Sequence, residues 1–259
     1  MPQVIHKTAL VSKKAVIGDD VEIGPFCIIG DHAVIGNGTR LISNVIIEGK
    51  TEIGAHCTVY PFAYLGAPPQ DLSYKDEPTA VKIGNNNVIR EYVTVHRAST
   101  RGDGVTEIGD KNYLMGYVHI AHDCKIGSGI VMANAATLAG HVHIHDRAVI
   151  GGVVAIHQFT RIGSYAMLGG FSGFGQDIPP YTMASGPRAK LFGLNSIGLK
   201  RNGFSDETIN VLKKAYKILF RDKLTLKDAL DKVKKELPRI AEIKVLVDFI
   251  EENKRGICR

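Results

Sequence analysis

VIGDDVEIGPFCIIGDHAVI, residues 16–35, decides the fold. Every sixth residue (Ile17, Ile23, Ile29, Ile35) is aliphatic, and four places after each aliphatic stands something small, as at Val21, Cys27 and Ala33. The register runs outward to Ile5 and Leu65 and returns at Ile83, Ile89 and Val95. It then slips by one and continues from Ile108 to Phe174, twenty-six hexads in all. A period of six divides into the two-residue alternation of a strand but not into the 3.6 of a helix, so the pattern predicts short strands separated by corners. Glycine often follows the aliphatic, as at Gly18, Gly24, Gly36 and Gly54, where a bend with unusual φ/ψ is expected.

This repeat resembles the hexapeptide-repeat family, which implies a mainly β fold: a left-handed parallel β-helix with three hexads to each triangular coil. The hand comes from the resemblance, since periodicity alone gives coils. Residues 18 apart then lie on adjacent coils, about one strand spacing (~4.8 Å) apart. The expected organisation is a coil over residues 1–186, broken by polar, Gly/Pro-rich insertions at 66–82 and 97–107, then a basic α-helical domain over 187–259. In that domain Ser205 reads as an N-cap, and residues 224–237 and 239–253 read as helices separated by Pro238.

Composition narrows the function classes. With 44% hydrophobic and 22% charged residues the chain has the makings of a soluble globular protein. MPQVIHKTAL carries no basic start followed by a long apolar run, and no stretch approaches the ~18 apolar residues of a membrane span, so a cytoplasmic protein without a transmembrane segment is expected. Cys27, Cys57, Cys124 and Cys258 form no CxxC pair and no zinc spacing. The net charge of +6 is uneven: residues 186–259 carry 18 Lys/Arg against 10 Asp/Glu, while residues 1–185 carry 14 against 16. The basic tail has few aromatics among its charges and no recognition motif, which argues against a nucleic-acid partner.

Six histidines, His119, His122, His141, His143, His145 and His157, fall within 39 residues. A metal site is one reading, against which stands the absence of an i, i+4 pair on a helix, since His141 and His145 fall among strand hexads, and of a Cys/Asp set with ligand spacing. Coil arithmetic gives another: Asp123 and His141 are 18 apart and should stack, with His122 beside them. Such a His/His/carboxylate patch suits a general base whose tautomer a carboxylate fixes. Exposed histidines without a role remain the plain alternative.

Here a closer resemblance enters. HIAHDCKIG (119–127), ATLAGHV (136–142), GGVVAIHQF (151–159), QDIPPY (176–181) and GLKRNGFS (198–205) together resemble the UDP-N-acetylglucosamine O-acyltransferase family, along essentially the whole chain. The resemblance implies transfer of an (R)-3-hydroxyacyl group from acyl carrier protein to the sugar 3-hydroxyl of UDP-N-acetylglucosamine, the first step of lipid A synthesis. It implies a homotrimer that needs no cofactor and no metal. His122 matches the general base, Asp123 its orienting acid, and the Gly140 N–H the oxyanion donor. Gln70, Asp71, His119, His141, His157, Gln158, Asn195 and Arg201 match substrate contacts. Gly170 matches the position that ends the acyl groove, where glycine favours a long chain. The acidic carrier protein is expected to be steered to the basic tail. The chain departs from the family at Ser73, Ile197 and Asn202, where a lysine, an acidic residue and an arginine are usual.

Overall fold

The computed structural model describes residues 3–259. Three hexads make three short strands, and each fourth strand stacks in parallel on the first, so the chain winds into a three-sided parallel β-helix. Sheet I (11 strands) begins at Val4–Ile5, sheet II (9 strands) at Leu10–Val11 and sheet III (8 strands) at Val16–Ile17. The 18-residue register is direct: Val16 pairs with Val34, and Lys125 with His143. Across the first insertion it widens to Glu52 with Lys82, and across the second to Lys82 with Glu107. Both insertions therefore bulge from the coil without breaking it. Pairing in fact runs into them, since Ala80–Ile83 and Val105–Ile108 are four-residue strands.

From Ile23 onward every hexad aliphatic points inward and is at most 4% exposed. The first coil, with no coil above it, leaves Ile5 43% exposed. Inside, the small positions also take polar side chains. Asn87 Nδ2 donates to Gly84 O and Gly109 O (2.9 Å each), and Asn112 Nδ2 to Gly109 O and Gly127 O (3.1 and 2.9 Å), satisfying corner carbonyls that face the interior.

The reason for the glycines differs from the one expected. The left-handed conformation falls two residues later, on non-glycine side chains three places after the aliphatic, among them Phe26, Asn44, Asp123 and His141 at φ 59, 52, 61 and 59°. Their N–H groups reach the neighbouring coil, as His141 N–H does to His122 O (3.0 Å). The glycines themselves are set by close approach: a Cβ on Gly36 or Gly54 would lie 2.6 Å from the backbone of the next corner.

The three corners carry different chemistry. The III–I corner is a polar ladder, in which Asn85 Oδ1 accepts from Ala55 N–H and Asp110 Oδ1 from Asn85 N–H. The I–II corner is an exposed apolar ladder, with Phe62, Tyr92 and Tyr117 stacked at 5.0 and 4.8 Å. Both insertions leave from the II–III corner, where His122, His141 and His157 also stand.

A hairpin that hexad reading did not foresee closes the coil. Thr182–Ser185 continues sheet I in parallel, and Lys190–Leu194 returns antiparallel to it. Four helices follow: α1 (Ser196–Arg201), α2 (Asp206–Phe220), α3 (Leu226–Glu236) and α4 (Ala241–Glu251). Ser205 caps α2, accepting from Thr208 N–H, and Thr225 caps α3. Arg161 ties this part to the coil: its guanidinium pairs with buried Asp177 (2.8 Å), donates to Phe249 O (2.7 Å) and lies over the Phe249 ring.

Candidate active site

Three successive coils supply the site at the II–III corner, and the hexad sorts their residues into columns. His122, Gly140 and Gln158 stand two places after their aliphatics, and Asp123, His141 and Phe159 three places after. Parallel stacking thus brings together residues 18 and 36 apart in the chain. His122 Nδ1 is 2.7 Å from Asp123 Oδ2, and His141 Nε2 is 3.6 Å from the same oxygen. The stacking expected of Asp123 and His141 is observed.

The Asp123 side chain is 2% exposed. Burial opposes its charge, but hydrogen bonds from His122 and Ser99 outweigh burial and hold the carboxyl below its usual range. An ionised carboxylate can only accept, so the His122 proton sits on Nδ1 and leaves Nε2 as a basic lone pair. The His122 ring covers Gly140, where a Cβ would come 2.5 Å from Cε1. His141 lies edge-on to His122 (5.3 Å) and stacks on Phe159 (4.5 Å), and burial pushes its pKa below the usual value. Beside the corner, on sheet II, burial drives the His119 pKa down to about 4, and its Nδ1 pairs with Thr94 Oγ1 (2.8 Å).

Loop residues complete the surroundings. His96 Nδ1 meets Pro68 O (2.6 Å) and Arg97 donates to Gly66 O (2.7 Å), which pins the start of the insertion that carries Gln70 and Asp71. Asp71 accepts from Ser73 N–H and Oγ–H (2.8 Å each); these bonds, together with the charges of Arg101 and His122, hold its carboxyl below the usual range. Ser73 thus serves Asp71 directly. His157 and Gln158 are exposed on the same corner, with His157 Nδ1 3.2 Å from Arg255. A groove of about 830 Å³ runs from Asp123, His141 and Phe159 past Lys125, His143 and Arg161 to Lys254 and Arg255.

Other expected positions lie elsewhere. Gly170 is exposed on the I–II corner, where a Cβ would touch Gly152 O at 3.0 Å. Asn195 is 6% exposed and caps α1, its Oδ1 accepting from Gly198 N–H and its Nδ2 donating to Tyr165 O, so both ends of its amide serve the fold. Arg201 is exposed at the end of α1, and neither residue lines the groove. The cysteines are buried, with Cys124 pushed up to about 12 and Cys258 to about 11 by burial, which rules out thiolate chemistry at neutral pH.

Sequence reasoning missed Ser99, Gly102, Thr106 and Phe159. Phe159 was within reach, being 18 residues from His141; Ser99 was not, because the insertion carries it out of register. Donor atoms of His122, Asp123 and His141 lie within 4.8 Å of one another, a set that could hold a metal. Against this, Asp123 Oδ2 already receives two hydrogen bonds from Ser99 and one from His122.

Comparison with known proteins gives one consistent result. The profile described as "Udp N-acetylglucosamine O-acyltransferase; Domain 2" matches residues 177–258, and that for six bacterial transferase hexapeptide repeats matches 32–67. An acyl carrier protein-dependent UDP-N-acetylglucosamine O-acyltransferase of Thermodesulfovibrio yellowstonii is 73% identical over 255 residues, 98% of this chain and 99% of the relative. That of Syntrophobacter fumaroxidans is 50% identical over 98% of this chain and 99% of its own. The solved Acinetobacter baumannii structure of the same family superimposes with TM-score 0.96 at 46% identity, covering 99% of this chain and 100% of that one. The coil has the left-handed winding that the resemblance implied.

Proposed function

The chain belongs to the UDP-N-acetylglucosamine O-acyltransferase family, and from that premise we propose a mechanism in which its own His122 is the base. The enzyme transfers an acyl group from acyl carrier protein to UDP-N-acetylglucosamine, the opening step of lipid A synthesis. His122 Nε2 takes the proton of the sugar 3-hydroxyl as that oxygen attacks the thioester carbonyl. The tetrahedral oxyanion is received by the Gly140 N–H. As it collapses, the carrier's thiol leaves and takes the proton back from the imidazolium, so the enzyme ends unchanged. The observation that carries this reading is the 2.7 Å bond from His122 Nδ1 to a buried, ionised Asp123.

The remaining residues divide by location. His119, His141, His157 and Gln158 are proposed to line the substrate path, with Gln70 and Asp71 closing over it from the insertion. Gly170 and Arg201 are exposed away from the His122 corner in one chain, which supports a homotrimer in which a neighbouring copy supplies them, while the buried, fully bonded Asn195 acts through the fold it caps. The apolar I–II ladder of Phe62, Tyr92 and Tyr117 is the surface such a neighbour would cover. The basic residues 186–259 are proposed to steer the acidic carrier, although sheet I runs on through Lys190–Leu194 before the helices begin. No helix among the described residues is long and apolar enough to cross a membrane, which accords with a cytoplasmic enzyme.

The test is acyl transfer from hydroxyacyl carrier protein to UDP-N-acetylglucosamine by wild type and His122→Ala. A loss of roughly 10²–10⁴-fold in kcat is expected; undiminished turnover would refute the base assignment. Metal analysis of the purified, active protein separates this mechanism from a metal-dependent one.

A further inference from the structure

We propose that Ser99, in the second insertion, is the third member of the base relay: a positioning residue that holds the Asp123 carboxylate and through it the His122 imidazole. The inference rests on the reading of His122 as the base. Asp123 Oδ2 receives three hydrogen bonds, from His122 Nδ1 (2.7 Å), Ser99 N–H (3.0 Å) and Ser99 Oγ–H (2.8 Å). Ser99 is 3% exposed, so its hydroxyl is a fixed donor rather than a solvated one. Oδ1 of the same carboxylate is buried with no partner among the described residues, and a Cβ on Gly102 would sit 2.5 Å from it. The Asp123 N–H donates to Thr106 Oγ1 (2.9 Å). Ser99, Gly102 and Thr106 all belong to the insertion, which therefore contacts both carboxylate oxygens and the backbone N–H of the acid.

Two consequences follow from concentrating three donors on one oxygen. The carboxylate cannot rotate to exchange Oδ1 for Oδ2 without breaking all three bonds, so the His122 ring stays over Gly140 with Nε2 outward. A charge shared among three donors also gives less of itself to the imidazolium. Removing the hydroxyl leaves two of the three bonds, which lowers the cost of rotation and returns charge to His122. The charged and titratable groups facing the pair are His141 from the next coil, His96 and His119 on sheet II, Asp71 and Arg101 from the insertions, and the Lys125–Asp103 pair. Among them Ser99 touches only Arg101, whose backbone N–H donates to Ser99 Oγ (3.2 Å), a bond that Ser99→Thr keeps.

The experiment compares steady-state kinetics of wild type, Ser99→Ala, Ser99→Thr and His122→Ala across pH, with melting temperatures. Ser99→Ala is expected to lower kcat about 5- to 20-fold with both KM values within about twofold, and to move the acidic limb of the kcat/KM profile up by about half a pH unit. Ser99→Thr, which keeps the hydroxyl, restores both. A Ser99→Ala enzyme with the wild-type profile overturns the inference, as does a loss of rate that Ser99→Thr does not relieve or that comes with no shift of the limb. Turnover retained by His122→Ala would instead overturn the base assignment itself, so the two failures are distinguishable.

Discussion

At the scale of single residues, the site depends on what is missing as much as on what is present. Gly140 carries no Cβ, and the His122 ring occupies the space where one would be. Gly140→Ala must displace that ring, because the corner backbone is held by the coils on either side. Activity should fall at least ~100-fold while the melting temperature changes by only a few degrees, since a surface corner contributes little to the core. Kinetics and thermal unfolding on one preparation check it, and near-normal turnover would mean that the ring is free to move aside. The pairing of Asp123 with His141 was legible from an 18-residue spacing. The Ser99 bonds were not, because an insertion has no register from which to count.

Elements here are so short that none is stable alone, and two-residue strands hold because each corner is bonded to the next. The buried amide ladder makes this concrete. Asn87 supplies Gly84 O and Gly109 O and accepts from Asn112 N–H, all inside the coil. Asn87→Ala leaves the buried Asn112 N–H without a partner, Gly84 O with only the weak Cys57 thiol (3.2 Å) and Gly109 O with only Asn112 Nδ2 (3.1 Å), and the expected loss is about 1–3 kcal/mol. Chemical denaturation measures it; a loss under ~1 kcal/mol would show that the Asn112 N–H finds another acceptor. Hexad reading placed the strands and the αL corners could have been counted, but it assigned the glycines to the wrong cause. Close approach between coils is a relation between residues 18 or more apart, invisible in any local window. The closing hairpin was missed for a similar reason: residues 182–194 make strands only because the end of sheet I offers an edge to pair with.

For the molecule as a whole, stability and assembly should respond to separate probes. His119 and His143 have pKa values pushed down to about 4 by burial, against 6.5 when unfolded. The unfolded chain therefore binds more protons below 6.5, so stability is complete above that pH and is lost as pH falls toward 4. Asp123 does not contribute in this window, its carboxyl lying below the ordinary 3.8. Melting temperature should decline from pH 6.5 to 4.5, with a shallower decline in His143→Gln; a flat profile would contradict the burial. Assembly is probed at the apolar corner: Tyr92→Lys, in the middle of the aromatic stack, should lower both the mass seen by light scattering and the acyl-transfer rate. A fully active enzyme of wild-type mass would remove that corner from the interface. Composition and period alone sufficed for the coil, the inward cysteines, the two insertions and the basic tail, because each follows from local alternation and charge counting. The contents of the three corners, the capture of Asp123 by Ser99, the Gly140 packing and the separation of Gly170 from His122 required the folded coil. The second insertion carries Ser99 out of register, while the others, though in register, are set by side-chain and corner geometry, and a distance of a few ångströms between them exists only once the coils are stacked.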